Sequence, residues 1–460
     1  MKHYDLAVIG TGSGNSIVDD RFADRRVAIV EKGVFGGTCL NVGCIPTKMF
    51  VYPADLARET KHATRLGISE SVEEVRWPEI RNRIFSRIDP ISEAGKDYRV
   101  SLPNVDVYQA QCRFVGGLTL LVGGEEISAD QIVIAAGSRA TVPAIPGLET
   151  VAHHTSDTVM RLKELPRRMA VLGGGFVAAE FAHVFSAYGV RVTQVHRGPT
   201  LLRREDEEVA ARFTELAARQ WEVRLDTRIV SVRPAGEAIE VELSDGSDLE
   251  VDVLLLATGR VPNSDLLDLA ATGVTTDLDG VIEVDEHQHT KAPGIWALGD
   301  IANHYQLKHV GNLEARVVQH NLLYPDDLVA ADHRFVPCAV FTSPQVASVG
   351  LTSQDARARG IAHITTVQSY ADVAYGWAME DTDHFVKLVA EPDARRLLGA
   401  HIIGPQASTL IQVLILAMSL DEPLESVARG QYWIHPALTE VVENALLKLV
   451  SVAASAPDAG

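Results

Sequence analysis

Short apolar, β-branched runs recur along the chain at Leu6–Ile9, Val27–Val30, Val133–Ala136, Met169–Leu172, Val190–Val195 and Val253–Ala257, each bounded by glycine or charge. Runs of this length without polar alternation, with helical spacing between several of them, predict strands buried on both faces of parallel sheets. The expected fold class is α/β. Between Val105 and Val122 the pattern changes to polar–apolar alternation around a Gly116-Gly117 turn, which predicts a small antiparallel meander inserted before the last strand of the first sheet. Pro143 and Pro146-Gly147 mark a turn-rich linker. A second strand–glycine–helix unit opens at Met169, and from about Pro262 to Leu323 the chain is expected to return to the first unit. After Arg334, strands at Cys338–Phe341, Phe385–Ala390 and Leu397–Ile403, with helical stretches such as Leu410–Ser419, predict a separate α+β unit. The expected divisions are residues 1–147, 148–262, 263–334 and 335–460, and the tail Ala453–Gly460 reads as frayed.

At 460 residues the chain has the length of about three domains. Its 42 Lys and Arg against 61 Asp and Glu leave a net charge of −19 with no long block of like charge, which makes nucleic acid and anionic membrane poor partners. The strongest apolar run, Leu410–Leu420, is shorter than the ~18 residues a membrane span needs and is interrupted by Gln412 and Ser419. Lys2 and His3 lead at once into a strand rather than a signal peptide, so the expected location is the cytoplasm. Four cysteines are too few for a secreted disulfide framework, and pairing among them points to catalysis rather than structure.

Two glycine loops carry the next step. The first, Gly10-Thr11-Gly12-Ser13-Gly14-Asn15, follows a strand and precedes a predicted helix, with Glu31 ending the next strand 21 residues after Gly10. Glycines let backbone approach a pyrophosphate, a helix N-terminus stabilises its charge, and the acid accepts from an adenosine ribose. Asn15 stands in the third glycine position, so helix–strand packing is expected to be looser there. The second loop is Gly173-Gly174-Gly175-Phe176-Val177-Ala178, and two such units imply two nucleotides. The strand after it ends Val195-His196-Arg197 with no carboxylate for a ribose 2′-hydroxyl, whereas Arg197 and Arg203 are placed to neutralise a 2′-phosphate. This loop fits NADPH. The alternative is that these arginines are the solvated face of the run Arg203-Arg204-Glu205-Asp206.

The segment Gly36-Gly37-Thr38-Cys39-Leu40-Asn41-Val42-Gly43-Cys44-Ile45-Pro46-Thr47-Lys48 places two cysteines at the start of a helical stretch. They can bridge if the turn between them is distorted, which Gly43 helps, and a helix N-terminus with Lys48 nearby lowers the pKa of one thiol. The alternative is a pair of buried reduced cysteines. A zinc site needs two more ligands at short spacing and none is present, so no metal is expected.

With these motifs, Ala257-Thr258-Gly259-Arg260, Ala297-Leu298-Gly299-Asp300 and His435-Pro436-Ala437-Leu438-Thr439-Glu440, the whole chain resembles the flavoprotein disulfide reductases, which include dihydrolipoamide dehydrogenase, glutathione reductase, trypanothione reductase and mercuric reductase. The resemblance implies two Rossmann-like dinucleotide-binding domains, for FAD and NADPH, and a C-terminal α+β dimerisation domain in a homodimer. It implies an enzyme that reduces a low-molecular-weight disulfide through the redox-active pair Cys39–Cys44. FAD would lie on Gly10, Gly12, Gly14, Glu31, Thr38 and Gly137, with Asp300 bonding the ribitol. Lys48 would face flavin N5 and pair with Glu180. NADPH would lie on Gly173, Gly175, Arg197, Arg203 and Gly259, with Phe176 as a lid over the nicotinamide. His435, oriented by Glu440 and supplied by the partner subunit, would be the acid–base catalyst. Cys44 would stay near the flavin as a thiolate while Cys39 attacks the substrate. Cys112 and Cys338 have no matching partner and read as small buried hydrophobes.

Departures within that resemblance bear on the substrate. Asp20-Arg21 stands where glutathione reductases carry two arginines, which argues against an anionic disulfide. The missing acid at His196 argues against an NAD-linked dihydrolipoamide dehydrogenase. The tail Val441–Gly460 lacks the further cysteine pair of mercuric reductase. An uncharged sugar conjugate needs no arginine clamp, and Trp377 and Tyr432-Trp433 are available to stack on sugar rings or to pack in the core or dimer. A dihydrolipoamide dehydrogenase or a glutathione reductase-like enzyme is the alternative.

Overall fold

The structure, a computed structural model, describes residues 1–393 and 395–454. The apolar run Val27–Val30 is buried at every position, as a strand covered on both faces must be. It lies in a sheet whose order is Val105–Tyr108, Val27–Val30, Lys2–Ile9, Glu125–Ile134, Thr119–Val122, Cys112–Gly116. Lys2–Ile9 is parallel to both Val27–Val30 and Glu125–Ile134. The sheet therefore grows in opposite directions from this strand, which opens a crevice beyond its carboxyl end. Gly10 begins there.

The antiparallel meander starts later than its alternation suggested. Val105–Tyr108 pairs in parallel with Val27–Val30 and alternates because it is an edge strand with one face in the core. Only Cys112–Gly116, Thr119–Val122 and the start of Glu125–Ile134 form the meander. The far end of Glu125–Ile134 pairs with Ile295–Ala297, which returns the chain to this sheet.

The helix expected after the first glycine loop is replaced by two three-residue 3-10 turns, Gly14–Ser16 and Asp20–Phe22. Asp19 is extended (φ −135°, ψ −169°) and its carboxylate accepts from the Arg21 backbone N–H at 3.0 Å. An aspartate that bonds its own backbone competes with the helix ladder. Any phosphate on this loop is therefore held by loop N–H groups with little helix dipole behind them. The looser packing expected at Asn15 is also absent. Gly14 makes the close approach instead, since a Cβ there would lie 2.7 Å from the Ala135 Cβ, while Asn15 Oδ1 accepts from Arg99 Nε at 2.9 Å.

The second sheet is parallel, in the order Glu222–Arg224, Arg191–Val195, Arg168–Leu172, Val253–Leu256, His153–Thr155. Beside it Ile229–Ala235, Ala238–Leu243 and Asp248–Val251 form an antiparallel sheet that the apolar runs did not reveal. The third sheet is antiparallel, in the order Cys338–Val340, Val346–Gly350, Leu397–Ile403, Phe385–Ala390, Ile364–Ser369. The helix Thr439–Ala454 buries Val441, Val442, Ala445, Leu446 and Leu449 in the same core, an apolar stripe at helical spacing. Leu410–Ser419 divides into the helices Ala407–Leu410 and Gln412–Ser419. Ala453 and Ala454 belong to the last helix rather than to a frayed tail, whose remainder lies outside the described residues. Among the described residues no helix is long and apolar enough to cross a membrane.

Candidate active site

Cys39 lies on the short helix Gly37–Asn41, and Cys44 is the first residue of the helix Cys44–Ala63. Asn41 Nδ2 donates to the carbonyls of Phe35 and Gly37 at 2.8 and 3.0 Å, which fastens the first helix to its entry turn. Gly43 joins the two helices at a close approach. A Cβ there would sit 2.9 Å from the Thr38 carbonyl oxygen and 3.3 Å from the Cys39 Cα, so a side chain would push the cysteines apart. Both are free cysteines, Cys39 half-buried and Cys44 exposed. A hydrogen bond from the Cys39 thiol, with the nearby Lys48 charge adding to it, brings Cys44 down to about 6. The same hydrogen bond, burial and the Cys44 charge push Cys39 far up. In the reduced pair the single thiolate is thus biased toward Cys44.

Helix Cys44–Ala63 runs alongside, and in the same direction as, helix Phe176–Ala187. Three polar rungs join them. Lys48 Nζ lies 2.8 Å from each Glu180 carboxylate oxygen, His183 Nε2 2.8 Å from Asp55 Oδ1, and Arg58 donates to Ser186 Oγ at 2.9 Å. The adjoining aromatic core includes Phe50 stacked on Trp77 at 5.0 Å, with Phe85, Phe181 and Phe185. Glu180 is 3% exposed, and its second tie, from the Phe341 backbone N–H at 2.9 Å, belongs to the third sheet's unit. Lys48 also stands over the Phe341 ring, 4.6 Å from its centroid. Phe341 was not picked out from sequence, because nothing local marks it.

The first glycine loop fits a dinucleotide. Gly37 so nearly touches it that a Cβ on Gly37 would come within 2.5 Å of the Gly12 Cα, leaving backbone rather than side chains around the crevice. The Glu31 carboxylate sits at the loop, accepting from the Thr11 N–H and hydroxyl at 2.9 and 2.7 Å and from the Gly33 N–H at 2.8 Å. Asp300 accepts from Ser138 Oγ at 2.7 Å beside Arg260. Thr38 is exposed next to Cys39, and Gly137 lies just beyond Glu125–Ile134 with open space at its Cα.

The second loop opens a true helix. Gly173 adopts φ 145°, and a Cβ there would meet the Ala257 carbonyl at 2.2 Å. Gly175 caps the helix Phe176–Ala187 with no side-chain acceptor, so its first N–H groups can meet a phosphate. The His196 ring packs over Gly174, within 2.5 Å of where a Cβ would stand. Burial first, then Arg203 and Arg197, hold that imidazole below its usual range. Arg197 and Arg203 are exposed and make no ion pair among the described residues. Phe176 is exposed at the helix start and Gly259 follows the strand Val253–Leu256. A charge-assisted contact to a 2′-phosphate is worth about 1.5–3 kcal/mol. Steady-state kinetics of Arg197→Ala should therefore show NADPH use weakened about tenfold to a hundredfold, with NADH use nearly unchanged. Equal loss with both cofactors would make Arg197 a support of the fold.

His435 Nδ1 lies 2.7 Å from Glu440 Oε1, and that contact holds the Glu440 carboxyl below the ordinary range. The His435 side chain is 70% exposed, and among the described residues no contact within one chain joins it to Cys39 or Cys44. Exposed Tyr432, Ile434 and Trp377 also mark this unit. Cys112 is a buried core residue whose thiol burial pushes up to about 12. Cys338 departs from the hydrophobe expected of it, because its thiol donates to the buried Glu205 at 3.5 Å and lies 3.0 Å from Ser348 Oγ. Among the described residues no group of three His, Cys, Asp or Glu could hold a metal ion.

Two glycine loops after parallel strands, with a cysteine pair beside the Lys48–Glu180 ion pair, define a class, and the comparisons with known proteins agree. Residues 4–315 match the family described as pyridine nucleotide-disulphide oxidoreductase, and residues 336–446 match that family's dimerisation domain. The chain belongs to this family: it is an FAD-dependent oxidoreductase that uses NADPH to reduce disulfides and forms a homodimer. It is 54% identical to the mycothione reductase of Mycobacterium tuberculosis, over 98% of this chain and all of that protein. Glutathione reductase of Burkholderia cepacia is 32% identical over 95% of this chain and 97% of its own. The solved structure of the HOCl-induced flavoprotein disulfide reductase RclA from Escherichia coli superposes with a TM-score of 0.85 at 28% identity, covering 98% of this chain and all of that one.

Proposed function

We propose that the protein reduces mycothione, the disulfide of mycothiol, to two thiols in the cytoplasm. Residues 1–147 and 263–334 carry FAD, 148–262 carry NADPH, and 335–460 form the dimer contact in this reading. FAD and NADPH supply the electron pair that opens the Cys39–Cys44 disulfide. Cys39 Sγ, as thiolate, then attacks one substrate sulfur and forms a mixed disulfide, and His435 of the partner subunit, oriented by Glu440, protonates the departing thiolate. Cys44 Sγ, as thiolate, attacks Cys39 Sγ, which remakes the protein disulfide and expels the second half of the substrate as a thiolate that takes its proton from solvent. Lys48, anchored by Glu180, holds positive charge beside Cys44.

The observation that carries this reading is the cysteine pair closed by Gly43 with Cys44 brought down to about 6. The 54% identity to a mycothione reductase supports the choice of substrate. Asp20 and Arg21 are exposed, and Arg21 is tied to Asp19 at 2.6 Å rather than free to clamp an anion. The test is a panel of mycothione, glutathione disulfide, lipoamide and trypanothione disulfide, each with NADPH and NADH. The highest kcat/KM should belong to mycothione with NADPH. Faster turnover of lipoamide with NADH would overturn the assignment.

A further inference from the structure

We propose that the buried Arg99 guanidinium supplies the positive charge that a helix would otherwise set behind the FAD pyrophosphate. It is a positioning residue of the first glycine loop, and the inference rests on the reading above only in that FAD lies on that loop.

The absence of a helix after Gly14 leaves its backbone to be satisfied in another way, since buried carbonyls need donors. The 3-10 turn Gly14–Ser16 takes care of two of them, the carbonyls of Ser13 and Gly14, which accept from the N–H groups of Ser16 and Ile17 at 3.1 and 3.2 Å. The next four carbonyls accept from side chains on distant elements. Arg99, in the last turn of the helix Trp77–Ser101, donates to the carbonyls of Asn15 and Val18, the second at 2.8 Å. Gln319 Nε2 donates to those of Ser16 and Ile17 at 3.3 and 2.7 Å. Arg99 Nε also reaches Asn15 Oδ1 at 2.9 Å, a tie that a glycine in the third position of the loop could not make.

Both side chains replace bonds of the missing helix ladder, but only Arg99 brings a charge. It is 6% exposed, and among the described residues no carboxylate lies within ion-pair distance of it. Asp19, the nearby acid, is held by Arg21 at 2.6 Å and by Gln319 at 3.0 Å. Buried charges are ordinarily paired, so a guanidinium without a counter-ion against this loop points to an anion on the loop. The pyrophosphate of FAD is that anion in the reading above. A helix N-terminus would offer it about half a positive charge, and Arg99 offers a whole one from farther back. The second glycine loop is the comparison within the chain, because it opens the helix Phe176–Ala187 and has that helix's own N-terminus to offer. Lys308 Nζ, which donates to Ser13 Oγ at 3.0 Å, is a further cation on the first loop, so loss of Arg99 weakens FAD binding without abolishing it.

The test is the rate of FAD release from the holoenzyme diluted to nanomolar concentration, read as the rise of free-flavin fluorescence, together with FAD content per chain as purified. Arg99→Met and Arg99→Gln should release FAD about tenfold faster than the wild type, the effect of a partly buried charge at a helix end. Arg99→Lys should stay within about threefold, because it keeps the charge and loses only the fork that spans two carbonyls. A role confined to hydrogen bonding gives the other order, with glutamine at least as good as lysine. NADPH binding, on the other loop, should be unchanged, and a matching loss there would count against the proposal as a general loss of fold. Arg99→Gln carries the comparison with Arg99→Lys if Arg99→Met does not fold. Equal release from the lysine and glutamine variants, or wild-type release from Arg99→Gln with a native melting transition, would overturn the proposal. Glu31→Ala checks the placement of FAD separately. It should also hasten release, and if it does not, FAD lies elsewhere and the role of Arg99 falls with that placement. No mycothione enters the assay, so failure of the substrate assignment is seen separately in the panel.

Discussion

Cys39→Ser should abolish disulfide reduction and still allow NADPH to reduce the flavin, with the long-wavelength thiolate–flavin absorbance retained. Cys44→Ser should lose that absorbance. The argument starts from the two positions. Cys44 opens a 20-residue helix with Lys48 one turn on, and is brought down to about 6, so it is the sulfur that holds charge at neutral pH. Cys39 is the partner whose thiol stays protonated until its neighbours change. Loss of an attacking nucleophile costs on the order of a thousandfold or more in turnover. Serine at position 39 keeps a hydroxyl that can donate to Cys44, so in that variant the absorbance should persist at neutral pH. In the wild type it is present above about pH 6 and lost as the pH falls through that value, because a lowered pKa keeps the charged form above it and surrenders it below. Absorbance lost in Cys39→Ser and kept in Cys44→Ser would reverse the assignment.

Mixing Cys39→Ser subunits with His435→Ala subunits should restore activity that neither parent has. Removing a positioned acid–base group typically costs about a hundredfold to ten-thousandfold, so each parent is nearly silent. His435 is exposed, and among the described residues its ring bonds only to Glu440 and no contact joins it to the cysteines of its own chain. In a two-fold dimer with shared sites, a mixed dimer holds one site with both defects and one with neither. Random reassociation makes about half the dimers mixed, so about a quarter of wild-type turnover should return. If both residues came from the same chain, every site would carry a defect and mixing would recover nothing. That outcome, with subunit exchange confirmed by mass spectrometry, would remove His435 from the shared site.

What the residues settle by themselves is local. The buried strands Val27–Val30 and Val253–Leu256 follow from apolar runs that lack alternation, because a strand covered on both faces has no position for a charge. The glycine loops and the Cys39–Cys44 spacing carry the α/β class and the redox pair, since both depend on backbone shape over a few residues. Where a side chain competes with the helix ladder, or a strand lies at the edge of its sheet, sequence pattern alone misleads. Asp19 bonds its own backbone and breaks the helix expected after Gly14, and Val105–Tyr108 alternates as an edge strand rather than a meander strand. The family resemblance already implied Lys48 against Glu180, 132 residues away; tertiary structure alone added Phe341, whose backbone and ring close the contact, because a strand distant in sequence packs over the two parallel helices. It alone brought Lys308 to Ser13, 295 residues away. Lys308 lies in no motif, and a contact across space is not recorded in the order of residues along the chain.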